Sequence, residues 1–222
     1  YELYAEENRT PLPLSEIPDV VKQATIAIED REFYRHNGVS LRGIIRALRE
    51  TVLRNRVQGG STITQQLIKS AFLTPEIKLS RKIKEILLAF WTERLYSKNQ
   101  ILEMYLNQVP YGGTAWGIEA ASQSYFRKSI KEVTLGEAAL LAGLPAAPTE
   151  YSPFGNHPEK AFERQAEVIR RMTEDRYITK VQAENALKES LHIQKPRIPI
   201  RAPHFVMYVR QILEDRYGAR LV

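Results

Sequence analysis

Apolar residues Ile17, Val21, Ala24 and Ile28 recur at i, i+4, i+7 and i+11, and with Pro18 near the first turn this spacing predicts an amphipathic helix running to about residues 35–38. Ser40 can cap a second helix, whose apolar face is Leu41, Ile44, Ile45, Leu48 and Val52, while Arg42, Arg46, Arg49 and Arg56 gather opposite. A third is expected over residues 61–71. Thr74 and Pro75 break the chain before residues 79–96, a stretch of high helix propensity, and residues 99–106 form another helix. Tyr105-Leu106-Asn107 followed by Gly112, Gly113, Gly117 and Ala120-Ala121 reads as a helix, a glycine-rich turn and a close-packed helix, which is mainly scaffold. Thr134 and Glu137 make a capping box ahead of residues 138–142, closed by Gly143 and Pro145. Helices also fit residues 158–176 and 179–190, after which Pro196, Pro199 and Pro203 mark a linker or an extended strand leaving the domain. Strict alternation is almost absent and no internal repeat appears, so the fold class is mainly α.

The chain has 222 residues, 43% of them hydrophobic, with 11 Gly and 12 Pro spread thinly, which suits one globular domain and argues against disorder and collagen. There is no cysteine, so disulfide frameworks, thiol nucleophiles and Cys-ligated zinc are excluded. The longest uninterrupted apolar run covers only residues 86–91, against the roughly 20 residues of a spanning helix. Residues 1–9 lack the basic start and apolar middle of a signal peptide, and the opening without Met reads as an excised fragment. The formal charge is +6, but it is unevenly placed: residues 1–40 carry −4, residues 41–98 carry +8 and the remainder +2. A surplus concentrated in one stretch suggests a polyanionic partner there, such as phosphate, pyrophosphate, nucleic acid or anionic lipid. His36, His157, His192 and His204 show no paired-ligand spacing, and no phosphate-loop or dinucleotide glycine motif is present.

Three clusters could carry chemistry. Glu29-Asp30 closes a strongly apolar helix face and is followed by Phe33, Tyr34 and His36, surroundings that raise a carboxylate's proton affinity towards that of a working base or acid. Gly59-Gly60-Ser61-Thr62-Ile63-Thr64-Gln65-Gln66 and Lys69 place two glycines at a helix N-terminus, where free N–H groups favour an anion, and set Ser61, Gln65 and Lys69 on one stripe. Arg81, Lys82, Lys84 and Glu85 open the next helix, either as i,i+3 and i,i+4 pairs or as a cationic clamp for a phosphate leaving group.

In this order the segments resemble the five motifs of the peptidoglycan glycosyltransferase (family 51) domain of class A penicillin-binding proteins. The matches are Glu29 to Gly38, Gly59 to Lys69, Arg81-Lys82-Ile83-Lys84-Glu85, Tyr105-Leu106-Asn107 through Ala121, and Glu137-Ala138-Ala139-Leu140-Leu141-Ala142-Gly143-Leu144-Pro145. Residues 164–172 and Arg201-Ala202-Pro203-His204-Phe205 are also similar to the family's end of this domain. Ser70, Pro110 and Arg127 depart from it, standing where the family often has Asn, an aromatic residue and Gly. No Ser-x-x-Lys occurs, so the penicillin-reactive motif is not in these residues.

The resemblance implies a lysozyme-like, two-lobed helical domain with a smaller membrane-facing lobe, with residues 1–16 as a lead-in, 17–195 as the glycosyltransferase domain and 196–222 as the start of a linker to a transpeptidase domain. It implies polymerisation of lipid II at the outer face of the bacterial cytoplasmic membrane, with an N-terminal transmembrane anchor outside this sequence. Glu29 would be the base and Glu85 a second catalytic carboxylate. Asp30, Arg46, Ser61, Thr62, Gln65, Gln66, Lys69, Arg81, Lys82, Lys84 and Asn107 would bind substrate. No cofactor is required, with Mg²⁺ or Mn²⁺ at the diphosphate as an option, and no protein metal ligand is assigned. Moenomycin would compete at the donor site. Two rivals stand beside this: a lysozyme-like hydrolase, which needs no diphosphate clamp, and a basic module for nucleic acid or anionic membrane, which leaves Glu29 and the glutamine pair unexplained.

Overall fold

The computed structural model describes residues 8–40, 60–72 and 79–194, with isolated positions between 208 and 216. The expected second helix with Arg46, the break at Thr74 and Pro75, and most of the proline-rich exit lie outside the described residues. Among those described the molecule is mostly helical: α1 (Asp19–Glu29), α2 (Ile63–Phe72), α3 (Leu79–Leu95), α4 (Lys98–Gln108), α5 (Ile118–Phe126), α6 (Leu135–Gly143), α7 (Glu159–Glu174) and α8 (Lys180–Lys188). None is long and apolar enough to cross a membrane.

Helix α1 is central. Val21, Ala24, Thr25, Ile26, Ala27 and Ile28 are all buried, which requires partners on more than one side. It packs on α6, itself buried from Gly136 to Gly143 and begun by the expected capping box, in which Glu137 N–H donates to the Thr134 hydroxyl at 3.2 Å and Thr134 N–H to the Glu137 carboxylate at 2.8 Å. One buried cluster joins Val21 and Ile26 to Ile63 and Leu67 of α2, Ile101, Leu102 and Tyr105 of α4, and Ile118 of α5. A second joins Ala24, Ala27 and Ile28 to Ala139 and Ala142 of α6 and to Val168, Ile169 and Met172 of α7.

α1 stops at Glu29, earlier than its apolar spacing predicts. Asp30 leaves helical geometry, and its carboxylate accepts instead from His36 Nε2 at 2.8 Å and from Ile63 N–H at 3.1 Å, at the start of α2. The chain from 31 to 38 then turns back along α3. Gly38 sits at φ +85°, where a Cβ would fall 2.9 Å from the Ala89 carbonyl oxygen, so this close approach to α3 needs glycine.

Three short strands, β1 (Asn8–Arg9), β2 (Pro110–Gly112) and β3 (Ala115–Trp116), form a sheet in the order β1-β3-β2. β1 runs parallel to β3, with Asn8 opposite Ala115, and β2 antiparallel to it. Strands of two and three residues carry no alternation that a sequence could display. Residues 12–14 are tied to α4: Leu12 N–H donates to Asn107 Oδ1 at 2.9 Å and Leu14 N–H to Glu103 Oε2 at 2.6 Å.

Helix α3 packs against α2 and is only partly covered. Glu85 and Ala89 are buried, whereas Ile83, Leu87, Phe90, Trp91 and Leu95 are exposed. The apolar run over residues 86–91 is therefore mostly an outer face rather than core.

Candidate active site

The burial that makes α1 central carries its last residue into the protein. The Glu29 side chain is only 6% exposed. Gln66 Nε2 donates to Glu29 Oε2 at 2.6 Å, while the other end of the same amide, Gln66 Oε1, accepts from the Tyr105 hydroxyl at 3.2 Å. Burial holds the Tyr105 phenol well above its ordinary pKa, so it remains a donor, and the amide of Gln66 is thereby turned with its NH₂ towards Glu29. Glu29 Oε1 is buried and has no hydrogen-bond partner. Among the described residues, the cation paired with it is Arg164 of α7, with Nη2 at 3.7 Å. Desolvation raises the proton affinity of Glu29, opposed by Arg164, by the Gln66 hydrogen bond and by Arg171. Arg171 also donates to the Ile28 carbonyl at 2.9 Å, satisfying an open carbonyl at the C-terminal end of α1.

At the start of α3, Lys82 Nζ donates to Ser61 Oγ at 3.0 Å and to Glu85 Oε1 at 2.5 Å. Glu85 is buried beneath this lysine, which is 42% exposed. Arg81 is half-buried with an unpartnered Nε, and Lys84 and Lys69 are exposed. α3 is held against α2 by a buried tie: Thr64 Oγ1 donates to Glu93 at 2.5 Å, Lys98 reaches the same carboxylate at 2.7 Å, and Lys98 lies 4.5 Å over the Phe33 ring.

Several residues expected to meet substrate are engaged within the fold. Thr62 donates to the Gly38 carbonyl at 2.6 Å and forms a capping box with Gln65, which is 2% exposed. With Asp30 taking Ile63 N–H and the Thr62 hydroxyl taking Gln65 N–H, two of the first three N–H groups of α2 are engaged within the fold. The Ser61-Gln65-Lys69 stripe is likewise divided, since Gln65 points inward and Lys69 outward. Asn107 stands apart: its amide donates to the Leu12 carbonyl at 2.7 Å and accepts from Leu12 N–H, which is a structural tie. The structure thus gathers Glu29 with Gln66, and Ser61 with Lys82 and Glu85.

Sequence reading missed Arg164, Arg171 and Tyr105 around Glu29. A signal existed for the arginines, because positions seven apart on a helix share a face. Among the described residues no group of three or more histidine, aspartate or glutamate side chains is placed to hold a metal ion.

A buried carboxylate with one unpartnered oxygen has the chemistry to take up or give a proton, and the cations that open α3 have the chemistry to meet an anionic group. Residues 1–173 match the family described as Transglycosylase, and the chain belongs to that family. It is 45% identical to penicillin-binding protein 1A of Aquifex aeolicus over 96% of its length, and 42% identical to penicillin-binding protein 1F of Bacillus subtilis, also over 96%. It covers 29% and 30% of those relatives, so it spans less than a third of each. The crystal structure of penicillin-binding protein 1A from Haemophilus influenzae superposes with a TM-score of 0.62 at 26% identity, over 97% of this chain and 22% of that one. The mainly helical class read from the sequence agrees with this likeness.

Proposed function

We propose that the domain polymerises lipid II into β-1,4 glycan strands, in a cell-wall enzyme anchored at the outer face of the bacterial cytoplasmic membrane and continued by a transpeptidase domain. The 4-hydroxyl of an acceptor GlcNAc attacks the anomeric carbon of the donor MurNAc. Its proton passes to Glu29 Oε1, and the anomeric carbon–oxygen bond breaks with its electron pair leaving on undecaprenyl pyrophosphate. Attack opposite the leaving group inverts the centre from α to β. Lys82, poised by Ser61 and Glu85, with Arg81, Lys84 and Lys69, meets the growing negative charge of the diphosphate. Arg46 joins them in this reading.

The observation that carries it is the open, buried Oε1 of Glu29, held by Gln66 from one side only. The exposed apolar face of α3, on the same helix as the cations, suits a substrate whose lipid stays in a bilayer. The test is incubation with labelled lipid II in detergent: polymer formation suppressed by moenomycin, with release of undecaprenyl pyrophosphate, supports it. Shortening of preformed glycan with no polymer from lipid II would instead support a hydrolase.

A further inference from the structure

The ion pair at Glu29 has an unusual length. At 3.7 Å, Arg164 Nη2 is within reach of charge attraction but beyond a hydrogen bond, so Oε1 is stabilised as an anion while its lone pairs stay free. A guanidinium in direct contact would occupy the oxygen that has to take a proton. The position is built by the surrounding structure. Arg164 lies 5.4 Å over the Tyr151 ring, and its stem crosses Gly143 at the end of α6, where a Cβ would fall 2.8 Å from Arg164 Cγ. Its Nε is buried with no hydrogen-bond partner. Leaving a buried donor unsatisfied is costly, and here it accompanies a guanidinium kept in place beside Glu29.

We propose that Arg164 is a positioning residue for the transfer reaction, holding Glu29 Oε1 ionised and open at working pH without bonding to it. The proposal rests on the reading of Glu29 as the base. The other groups facing Glu29 do not replace it. Gln66 donates to Oε2 and Tyr105 only to Gln66, both uncharged, burial keeps the Tyr111 phenol protonated far above working pH, and Asp30 is taken up by His36 and α2. Arg171 shares α7 but spends its guanidinium on Glu167 at 2.7 Å and on the Ile28 carbonyl.

The sign follows directly. Removing the cation raises the proton affinity of Glu29, so a larger fraction is protonated at a given pH and unable to act as base. The experiment is the pH profile of kcat/KM on lipid II for the intact protein and for Arg164→Met, Arg164→Lys and Gly143→Ala, each checked by thermal unfolding. Arg164→Met is expected to move the acidic limb up by about one pH unit, so the rate on that limb falls about tenfold more than on the plateau. Arg164→Lys should keep the limb in place. Gly143→Ala, which displaces the arginine while leaving its charge, should shift the limb in the same direction as Arg164→Met. A limb unmoved in both Arg164→Met and Gly143→Ala, with only a uniform loss of rate, overturns the proposal and makes Arg164 a packing residue. Glu29→Gln is the separate control: activity and acidic limb persisting in that variant would overturn the base assignment whatever Arg164 does.

Discussion

At the scale of single residues, the site is assembled against stability. The Glu29 carboxylate has a higher proton affinity in the folded protein than in the unfolded chain, chiefly because it is desolvated. A carboxyl group shifted in this direction favours the fold at low pH and loses that contribution as pH rises through its folded pKa. Glu29→Gln should therefore abolish polymerisation and yet unfold at a higher temperature than the parent at neutral pH. That advantage should vanish below about pH 4, where the unfolded carboxyl is protonated too; calorimetry at two pH values reads the difference. The cations behave in the opposite way. Lys69 is exposed and Arg81 half-buried, so replacing either by Ala should spare the fold while weakening moenomycin binding by about 1.5–3 kcal/mol per lost charged contact, measured by titration. Unchanged affinity in both would remove them from the clamp. The identities of Glu29, Gln66, Lys82 and Glu85 were legible because they sit in dense, unusual motifs. Tyr105 and Arg164 were not, since a tyrosine and an arginine on separate helices acquire their roles only when α4 and α7 are brought to the end of α1.

At the scale of elements, the helices α2 to α4 and α6 to α8 lie close to where periodicity and caps placed them, because each buries a stripe against one or two neighbours and its caps are local. α1 shows why boundaries fail. Its apolar spacing permits more helix, but Asp30 gains two partners outside the helix, and a long-range bond to the start of α2 outweighs another turn. α5 ends on Arg127, where the family resemblance leads one to expect Gly: it adopts φ 59° and ψ 29°, the left-handed conformation usually given to glycine at this place in a helix. Arg127→Gly should relieve that backbone and stabilise the protein by roughly 0.5–1 kcal/mol, the relief being partly offset by the greater freedom of glycine when unfolded. Thermal unfolding checks it, and a destabilised variant would show that the arginine side chain contributes more than the strain removes. The tie between α2, α3 and α4 makes a further case. The Glu93 side chain is 4% exposed, so Lys98→Met, which strips its cation, should cost about 3 kcal/mol, whereas Lys98→Met with Glu93→Leu should recover much of the loss in a double-mutant cycle.

At the scale of the whole molecule, charge and apolar surface meet on one helix. α3 opens with Arg81, Lys82 and Lys84 and then exposes Leu87, Phe90, Trp91 and Leu95, while Phe72 at the end of α2 is 73% exposed. Around the helix break at Thr74 and Pro75, the apolar Phe72, Leu73, Ile77 and Leu79 have no obvious core to enter, and their sequence predicts a membrane-facing patch. Phe72 is exposed, residues 73–78 lie outside the described residues, and the side chain of Leu79 is not described. The exposed stretch beyond it on α3 was hidden from sequence reading, because an apolar run inside a helix looks the same whether it faces a core or a bilayer. Large apolar side chains gathered this way mark an interaction surface, and under the proposed function that end of α3 would lie at headgroup level, within reach of a lipid-linked diphosphate. Burying each side chain in an interface contributes up to about 1.5–3 kcal/mol, so Leu87→Ser, Trp91→Ser and Leu95→Ser together should lower partitioning onto liposomes of mixed neutral and anionic phospholipid by more than tenfold. Because Trp91 is 57% and Leu95 72% exposed, the thermal unfolding of the triple variant should match the parent. Unchanged liposome binding with a changed sedimentation coefficient would assign the face to a second copy of the chain instead. A large loss of stability would mean that these side chains serve the fold rather than an interaction surface.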